Sequence, residues 1–224
     1  MNSQQISLQR AKAFIMALGG ISLIVAPLLT FIGWGISHDS LSSFFSFNLL
    51  RKDTNGTIHL THQSEPALVF RYYLLPHYFI YASMPVYIAS GLTLMHATYK
   101  KAPWYSFIGV IFTIIGGVYF IGVLGAYLSN PIGSVILTNI LKVSFVLCIL
   151  VFVGNILLGI SLYKTNTIAR WASFLFILGN MLILIFPGIE NWMAVGSFMI
   201  FFGLFPLAKK ILIKNKQNNL SYDN

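Results

Sequence analysis

Six polar residues in this sequence have types and spacing that could bind a ligand or support chemistry. They are Arg71, Tyr73, His77, Tyr81, Lys142 and Glu190. Tyr73, His77 and Tyr81 are four residues apart, and residues at this spacing lie on one face of a helix. Such a face could bind a polar ligand by stacking and hydrogen bonding. Packing between helices, with the polar atoms satisfied by neighbours, explains the same pattern and is the simpler interpretation.

Lys142 is the one charged residue in the apolar stretch LTNILKVSFVLCILVFVGN. It lies about five residues, or ~8 Å along a helix, from the start of that stretch. A lysine that reaches back to a membrane surface accounts for this position. Asn139, Glu190 and Asn191 fall at a similar predicted depth. Glu190 could therefore pair with Lys142 or Arg71, either as a structural ion pair or in a polar ligand pocket, and the sequence leaves these interpretations open.

The remaining residues do not favour a metal, haem or catalytic site. His59, His62 and Glu65 lie in a segment whose alternation predicts a strand, where residues three apart point to opposite faces. His77 and His96 lie near opposite ends of one predicted helix, too far apart for one haem. The sequence has no metalloprotease, nucleophile-elbow or nucleotide-binding motif. We therefore predict no metal and no cofactor.

The composition indicates that a membrane surrounds these residues. Of 224 residues, 57% are hydrophobic and 8% are charged, whereas about 25% of the residues of a soluble domain are charged. A helix needs about 20 mostly apolar residues to cross a bilayer core, and the chain has several runs of that kind. The net charge of +9 comes from short cationic clusters between these runs. That arrangement is typical of topology signals and not of nucleic-acid binding.

Charged and turn-forming residues divide the chain into an all-α membrane domain, residues 1–208, and a basic tail, residues 209–224. We predict a bundle of six transmembrane helices. The spans are residues 13–36, 72–99, 103–128, 137–163, 171–188 and 191–208. SNPIGS separates the third span from the fourth, and FPGIEN separates the last two, because proline, glycine and asparagine favour turns.

The distribution of cations predicts that both termini are cytoplasmic. With six spans and the N-terminus inside, ten of the 14 lysine and arginine residues lie on the cytoplasmic side, as the positive-inside rule expects. Four of the five acidic residues then lie outside. We predict a multi-pass protein of the plasma membrane, with the lipid bilayer around it and anionic lipids against its cytoplasmic cations.

One long polar segment, the outer loop of residues 37–71, separates the first two spans. FSFNLL and TIHLTH alternate apolar and polar residues on either side of DTNG. Asn-Gly between alternating runs is a hairpin signal. The sequence therefore predicts a small β-hairpin over the outer face.

Small and amide residues inside the spans are predicted to join helices. Gly109, Thr113 and Gly117 are four residues apart on the third span, a spacing that lets helix backbones approach closely in lipid. Asn155 and Asn180 can form hydrogen bonds between helices. We interpret all of these residues as structural.

The stretch NILLGISLYKTNTIARWASFLFILGNMLILI resembles bacterial six-helix membrane proteins of unknown function. In both, a helix ending in Gly-x-Ser-Leu is followed by a short basic turn and an Arg-Trp pair that opens the next helix. This resemblance implies the six-helix plan and no active site. The plan and the Ala13 and Ala17 pair are also similar to substrate-binding subunits of energy-coupling-factor vitamin transporters. That similarity implies docking of a partner through these alanines and binding of a vitamin from outside.

Taken together, these features predict a bundle whose outward-facing polar pocket binds a small molecule or peptide. One alternative is a substrate-binding or accessory subunit of a membrane transporter, which requires a membrane protein partner. A second is an intramembrane enzyme that uses His77, Lys142 and Glu190, although no catalytic signature supports it. A mainly structural role is the remaining interpretation.

Overall fold

The computed structural model describes residues 3–36, 70, 74–129, 146–186 and 190–220. These residues form a set of α-helices. They are α1 (Ser3–Ile36), α2 (Leu75–Thr98), α3 (Pro103–Ser129), α4 (Leu150–Thr165), α5 (Arg170–Ile185) and α6 (Glu190–Leu220). The prediction of an all-helical fold is confirmed for the described residues. The β-hairpin predicted in the loop of residues 37–71 lies outside them.

In this described part of the chain, five helical segments are long and apolar enough to cross a membrane. They are Ala11–Ile36, Leu75–Thr98, Pro103–Ala126, Val146–Thr165 and Asn191–Asn215. These helices make the chain a multi-pass membrane protein. The remaining helix, α5, is apolar but has only 16 residues. At about 1.5 Å per residue its length is ~24 Å, less than the ~30 Å of a bilayer core.

The local sequence explains where several helices begin and end. Pro103 is the first residue of α3, a position where proline loses no hydrogen bond and its fixed φ suits a helix. Asn166 ends α4 with a left-handed backbone, φ 48°, which asparagine tolerates better than most residues. Its side-chain oxygen accepts a hydrogen bond from Arg170 Nε at 3.2 Å. The short basic turn therefore joins α4 directly to α5.

The helices form a closed ring. Each helix packs against its neighbours in the chain, and α6 packs back against α1. Gly33 near the end of α1 lies against Ile80 near the start of α2, and Gly20 of α1 lies against Leu212 of α6. These contacts show antiparallel neighbours. α2 also contacts α4 across the ring.

The ring has two ends, which we name by the helices that stop there. The upper face is where α1, α3 and α5 end and where α2 and α6 begin. The lower face is where α2 and α4 end and where α3 and α5 begin. Beyond residue 208, the predicted end of the last span, α6 continues as a helix to Leu220. Most of the predicted basic tail is therefore helical.

Close helix contacts form at the small residues predicted on α3. A Cβ atom built on Gly109 would lie 3.0 Å from the carbonyl oxygen of Gly154 on α4. A Cβ atom on Gly117 would lie 2.9 Å from Ile88 Cγ1 on α2. α3 lies between α2 and α4 in the ring, and its small residues therefore allow close approach to both neighbouring helices.

Candidate functional site

Two of the predicted site residues, His77 and Tyr81, have described side chains. Arg71, Tyr73 and Lys142 lie outside the described residues, and Glu190 begins α6 with its side chain outside them. The role of those four residues stays a prediction. His77 and Tyr81 lie in the first two turns of α2 at the upper face, and both are half-buried.

Tyr81 lies on the side of α2 that packs against α3. Its Cε2 atom is 3.8 Å from the Cβ position of Gly125 on α3. Further along α2, Ile88 contacts Gly117 on the same helix. His77 is one turn before Tyr81 and therefore continues this face. The face predicted to bind a ligand is thus turned toward a neighbouring helix, as the packing interpretation expects for Tyr81.

The contact of α3 with α2 is closer at Gly117 than at Gly125. A Cβ atom on Gly117 would lie 2.9 Å from Ile88, whereas the nearest atom to a Cβ on Gly125 is Tyr81 Cε2 at 3.8 Å. At Gly117 the 2.9 Å distance leaves no space for a methyl group, whereas at Gly125 the 3.8 Å distance is ordinary van der Waals contact. An additional group is therefore accommodated more easily beside Tyr81 than beside Ile88.

A layer of buried polar side chains crosses the middle of the bundle, and we call it the mid-bundle polar layer. It consists of Ser90, Thr113, Asn155, Asn180 and Ser197, each no more than 2% exposed. Contacts between helices place these residues at one depth. Gly91, next to Ser90, lies against Thr113, and Thr113 Oγ1 is 3.3 Å from Asn155 Oδ1. On the other side of α4, Gly159 lies against Ile177 of α5, which brings Asn180 level with Asn155.

The amide groups of this layer are only partly satisfied by the described residues. Thr113 donates its one hydroxyl proton to the Gly109 carbonyl oxygen at 2.9 Å. Its oxygen can therefore only accept a hydrogen bond from Asn155, which requires the amide nitrogen of Asn155 to face Thr113. A rotation of the amide group by about 180° exchanges its nitrogen and oxygen and gives this arrangement. Asn180 Nδ2 donates to the Phe176 carbonyl oxygen at 2.8 Å. Among the described residues, the other end of each amide and the hydroxyl of Ser90 have no partner.

Hydroxyl groups also connect three helices near the lower face. Ser106 Oγ on α3 lies 2.7 Å from Thr98 Oγ1 on α2 and 2.7 Å from Ser161 Oγ on α4. All three residues are buried. Hydrogen bonds between helices hold a membrane bundle together where apolar side chains gain nothing over lipid. The lower half of the α2, α3 and α4 group is therefore fixed by polar contacts.

Cations from three helices meet at the turn between α4 and α5 on the lower face. Lys164 Nζ donates to Tyr105 OH at 2.9 Å and lies 4.1 Å from the centre of that ring. Arg170 is exposed at the start of α5. Lys210 Nζ of α6 donates to the Thr167 carbonyl oxygen at 3.4 Å. Neighbouring residues thus orient the side chains of Lys164 and Lys210, while all three cations remain exposed at the protein surface.

No family model, curated protein or solved structure matches this chain.

Sequence reasoning missed the mid-bundle polar layer as a unit. It singled out Asn155 and Asn180 as residues that bond between helices, and the structure places Asn155 beside Thr113 as that interpretation requires. It did not single out Ser90, because a lone serine is common in membrane helices. The shared depth of these residues becomes visible only when the order of helices in the ring is known.

Proposed function

We propose that this multi-pass membrane protein binds a small polar molecule or peptide at its upper face, reached from outside the cell. The proposed site comprises Arg71, Tyr73, His77, Tyr81, Lys142 and Glu190. The observation that supports it is the half-buried position of His77 and Tyr81 on one face of α2 at the upper face, where Tyr81 Cε2 lies 3.8 Å from the Cβ position of Gly125 on α3. The ring supports it, because α2 and α6 both begin at the upper face, so that His77 and Glu190 lie on one side of the membrane.

The residue types define the class of ligand. Arg71 and Lys142 attract an anionic group, and a guanidinium binds a carboxylate or phosphate with two hydrogen bonds. Glu190 pairs with a cationic group on the ligand or limits the positive charge of the site. Tyr73, Tyr81 and His77 provide stacking and hydrogen bonds. We therefore propose a small ligand with at least one acidic group.

The charges of the lower face support a proposed orientation of the protein in the membrane. Exposed cations on that side include Lys12, Lys100, Lys101, Lys164, Arg170, Lys209, Lys210 and Lys214. Cations collect on the cytoplasmic side of membrane proteins. Both termini are then cytoplasmic in the plasma membrane, and the upper face is outside. Anionic lipids of the cytoplasmic leaflet are the expected partners of the lower face.

A transporter subunit is the second interpretation, and it adds a partner protein to the same ligand site. Ala13 and Ala17 are half-buried and share a side of α1 with Gly20, which lies against Leu212 of α6. Because α6 packs on that side, docking through these alanines requires α6 to move. We therefore favour simple ligand binding over this role. Ala13→Leu and Ala17→Leu test the transporter role, which predicts that each variant loses a co-purifying partner protein.

The intramembrane enzyme remains the least favoured role. It assigns chemistry to His77, Lys142 and Glu190, and it predicts a turnover that Glu190→Gln abolishes. Unchanged turnover of an identified substrate in that variant would exclude the assignment.

Native mass spectrometry of the protein extracted with its own lipid tests the proposed function. We expect a bound small molecule on the wild-type chain and its loss from Lys142→Met and Glu190→Gln. Tyr81→Phe weakens binding by about fivefold to tenfold if its hydroxyl contacts the ligand, the equivalent of one hydrogen bond.

Tyr78→Phe is the matched control, because Tyr78 lies on the same helix and is 50% exposed. We expect this variant to keep the molecule. A chain that carries no small molecule, while Lys142→Met and Glu190→Gln fold as well as the wild type, contradicts the proposed function and favours a structural role.

A further inference from the structure

We infer that the turn between α4 and α5 binds the phosphate of an anionic phospholipid headgroup. The inference needs the helices to cross a bilayer, but it does not need the ligand site proposed at the upper face. The two proposals can therefore fail independently.

Cations from three helices converge on this turn. Lys164 belongs to the last turn of α4, Arg170 begins α5, and Lys210 reaches the same turn from α6 by its bond to the Thr167 carbonyl oxygen. Thr165 and Thr167 are joined by a hydrogen bond of 2.6 Å between their hydroxyl groups. Three charges from three helices are thus held around a short, internally bonded segment.

Among the described residues, no acidic side chain at the lower face neutralises these charges. The acidic residues of the chain are Asp39, Asp53, Glu65, Glu190 and Asp223. Of these five, Glu190 is the one that belongs to the described residues, and it begins α6 at the upper face. A cluster of uncompensated cations beside a membrane attracts anionic lipid.

Exposed aromatic side chains around the turn indicate its depth in the membrane. Trp104 near the start of α3 is 75% exposed and Trp171 near the start of α5 is 58% exposed. Tyr163, in the last turn of α4, is 43% exposed. Exposed tryptophan and tyrosine side chains of membrane proteins lie at the level of the lipid headgroups. The turn is therefore where a phospholipid phosphate lies, which favours a lipid over an anion from solution.

Neighbouring side chains orient the hydrogen-bond donors of the turn. Tyr105 holds the Lys164 ammonium by a hydrogen bond and by its ring, which reduces the side-chain entropy lost on binding. Asn166 accepts from Arg170 Nε, and among the described residues this is the one hydrogen bond of that guanidinium. Its remaining N–H groups match the oxygen atoms of a phosphate.

The test compares two triple variants that lose the same charge. The first is Lys164→Gln with Arg170→Gln and Lys210→Gln, which removes the cations of the turn. The second is Lys12→Gln with Lys100→Gln and Lys101→Gln, which removes three exposed cations located elsewhere. Each protein is placed in nanodiscs of phosphatidylcholine alone or mixed with phosphatidylglycerol, and lipid retained after release from the disc is measured by native mass spectrometry.

We expect the wild type and the second variant to retain phosphatidylglycerol and the first variant to lose it. The rise in Tm that phosphatidylglycerol gives the wild type disappears in the first variant.

Equal loss from both triple variants would mean general attraction to the surface and overturns the proposal, as does retention by both. Should the first variant fail to fold, Lys210→Gln alone is compared with the wild type by retained phosphatidylglycerol and by Tm. The proposal predicts that Lys210→Gln retains less of the lipid, and equal retention overturns it. Inorganic phosphate is the last arm: if it displaces the lipid or raises Tm equally, the site binds free anions and the lipid assignment is wrong.

Discussion

The hydroxyl oxygen atoms of Thr30 and Tyr87 lie 3.1 Å apart in the interior and join α1 to α2. Thr30 donates its own proton to the Pro27 carbonyl oxygen at 3.0 Å. Tyr87 is therefore the donor between the two hydroxyls. Tyr87 is 2% exposed, so neither water nor lipid supplies a substitute partner.

This direction of donation predicts unequal effects of two substitutions. Tyr87→Phe leaves Thr30 bonded to Pro27 and lowers the free energy of unfolding by about 1 kcal/mol, the value of one hydrogen bond. Thr30→Val leaves the Tyr87 hydroxyl buried without an acceptor and costs more, about 1–3 kcal/mol. Unfolding in mixed detergent micelles measures both, with Tyr78→Phe as the neutral control. A larger loss for Tyr87→Phe than for Thr30→Val would reverse the assigned donor.

The approach of α3 to α4 makes a second prediction. A Cβ atom on Gly154 would lie 2.5 Å from both the Gly109 carbonyl oxygen and the Thr113 backbone nitrogen. Gly154→Ala must push two backbones apart, and we expect a loss of about 1–3 kcal/mol, the usual cost of overpacking.

Gly122→Ala is the control for this prediction, because no atom lies within 4 Å of its Cβ position. Alanine has the higher helix propensity, so this change is neutral or stabilises by up to ~1 kcal/mol. Equal behaviour of the two alanine variants in the same unfolding assay contradicts the closely packed interface.

The mid-bundle polar layer makes a third prediction. Asn180 Oδ1 is buried without a partner among the described residues, whereas Nδ2 donates to the Phe176 carbonyl oxygen at 2.8 Å. Replacing the amide with an apolar group of similar volume removes the unpaired oxygen together with that one hydrogen bond, and the two effects offset each other. We expect Asn180→Leu to change stability by between zero and about +1 kcal/mol. Asn155→Leu, which breaks the contact with Thr113, should cost about 1 kcal/mol. A marked loss of stability in Asn180→Leu would show that this amide has a partner, such as a bound molecule.

Helix positions were predictable from the sequence because lipid demands uninterrupted apolar runs and because turns carry recognisable residues. The span predicted at residues 72–99 corresponds to Leu75–Thr98, and that at residues 171–188 corresponds to Arg170–Ile185. The ends of α1 and α6 were less predictable. Both helices continue through polar residues, where hydropathy gives no signal and helix propensity decides.

The order of helices around the ring was not predictable. Lipid is as apolar as leucine, so hydropathy does not distinguish a side that faces lipid from one that faces a helix. Close contacts at Gly20 and Gly33 of α1 select α6 and α2 as neighbours, and a single sequence does not reveal the partner of a small residue. For the same reason, the four-residue spacing of His77 and Tyr81 identified a shared face but not that α3 lies against it.

Thiol labelling of intact cells tests whether a polar site beside α2 is open to the outside. In a background with Cys148→Ala, single variants His77→Cys and Tyr78→Cys are exposed to a thiol reagent that does not cross membranes. Thiols react as thiolates, which require water. We expect His77→Cys to be labelled, whereas Tyr78→Cys, on the exposed apolar side, is not labelled. If His77→Cys reacts only after the cells are permeabilised, or no faster than Tyr78→Cys, there is no outward-facing polar site.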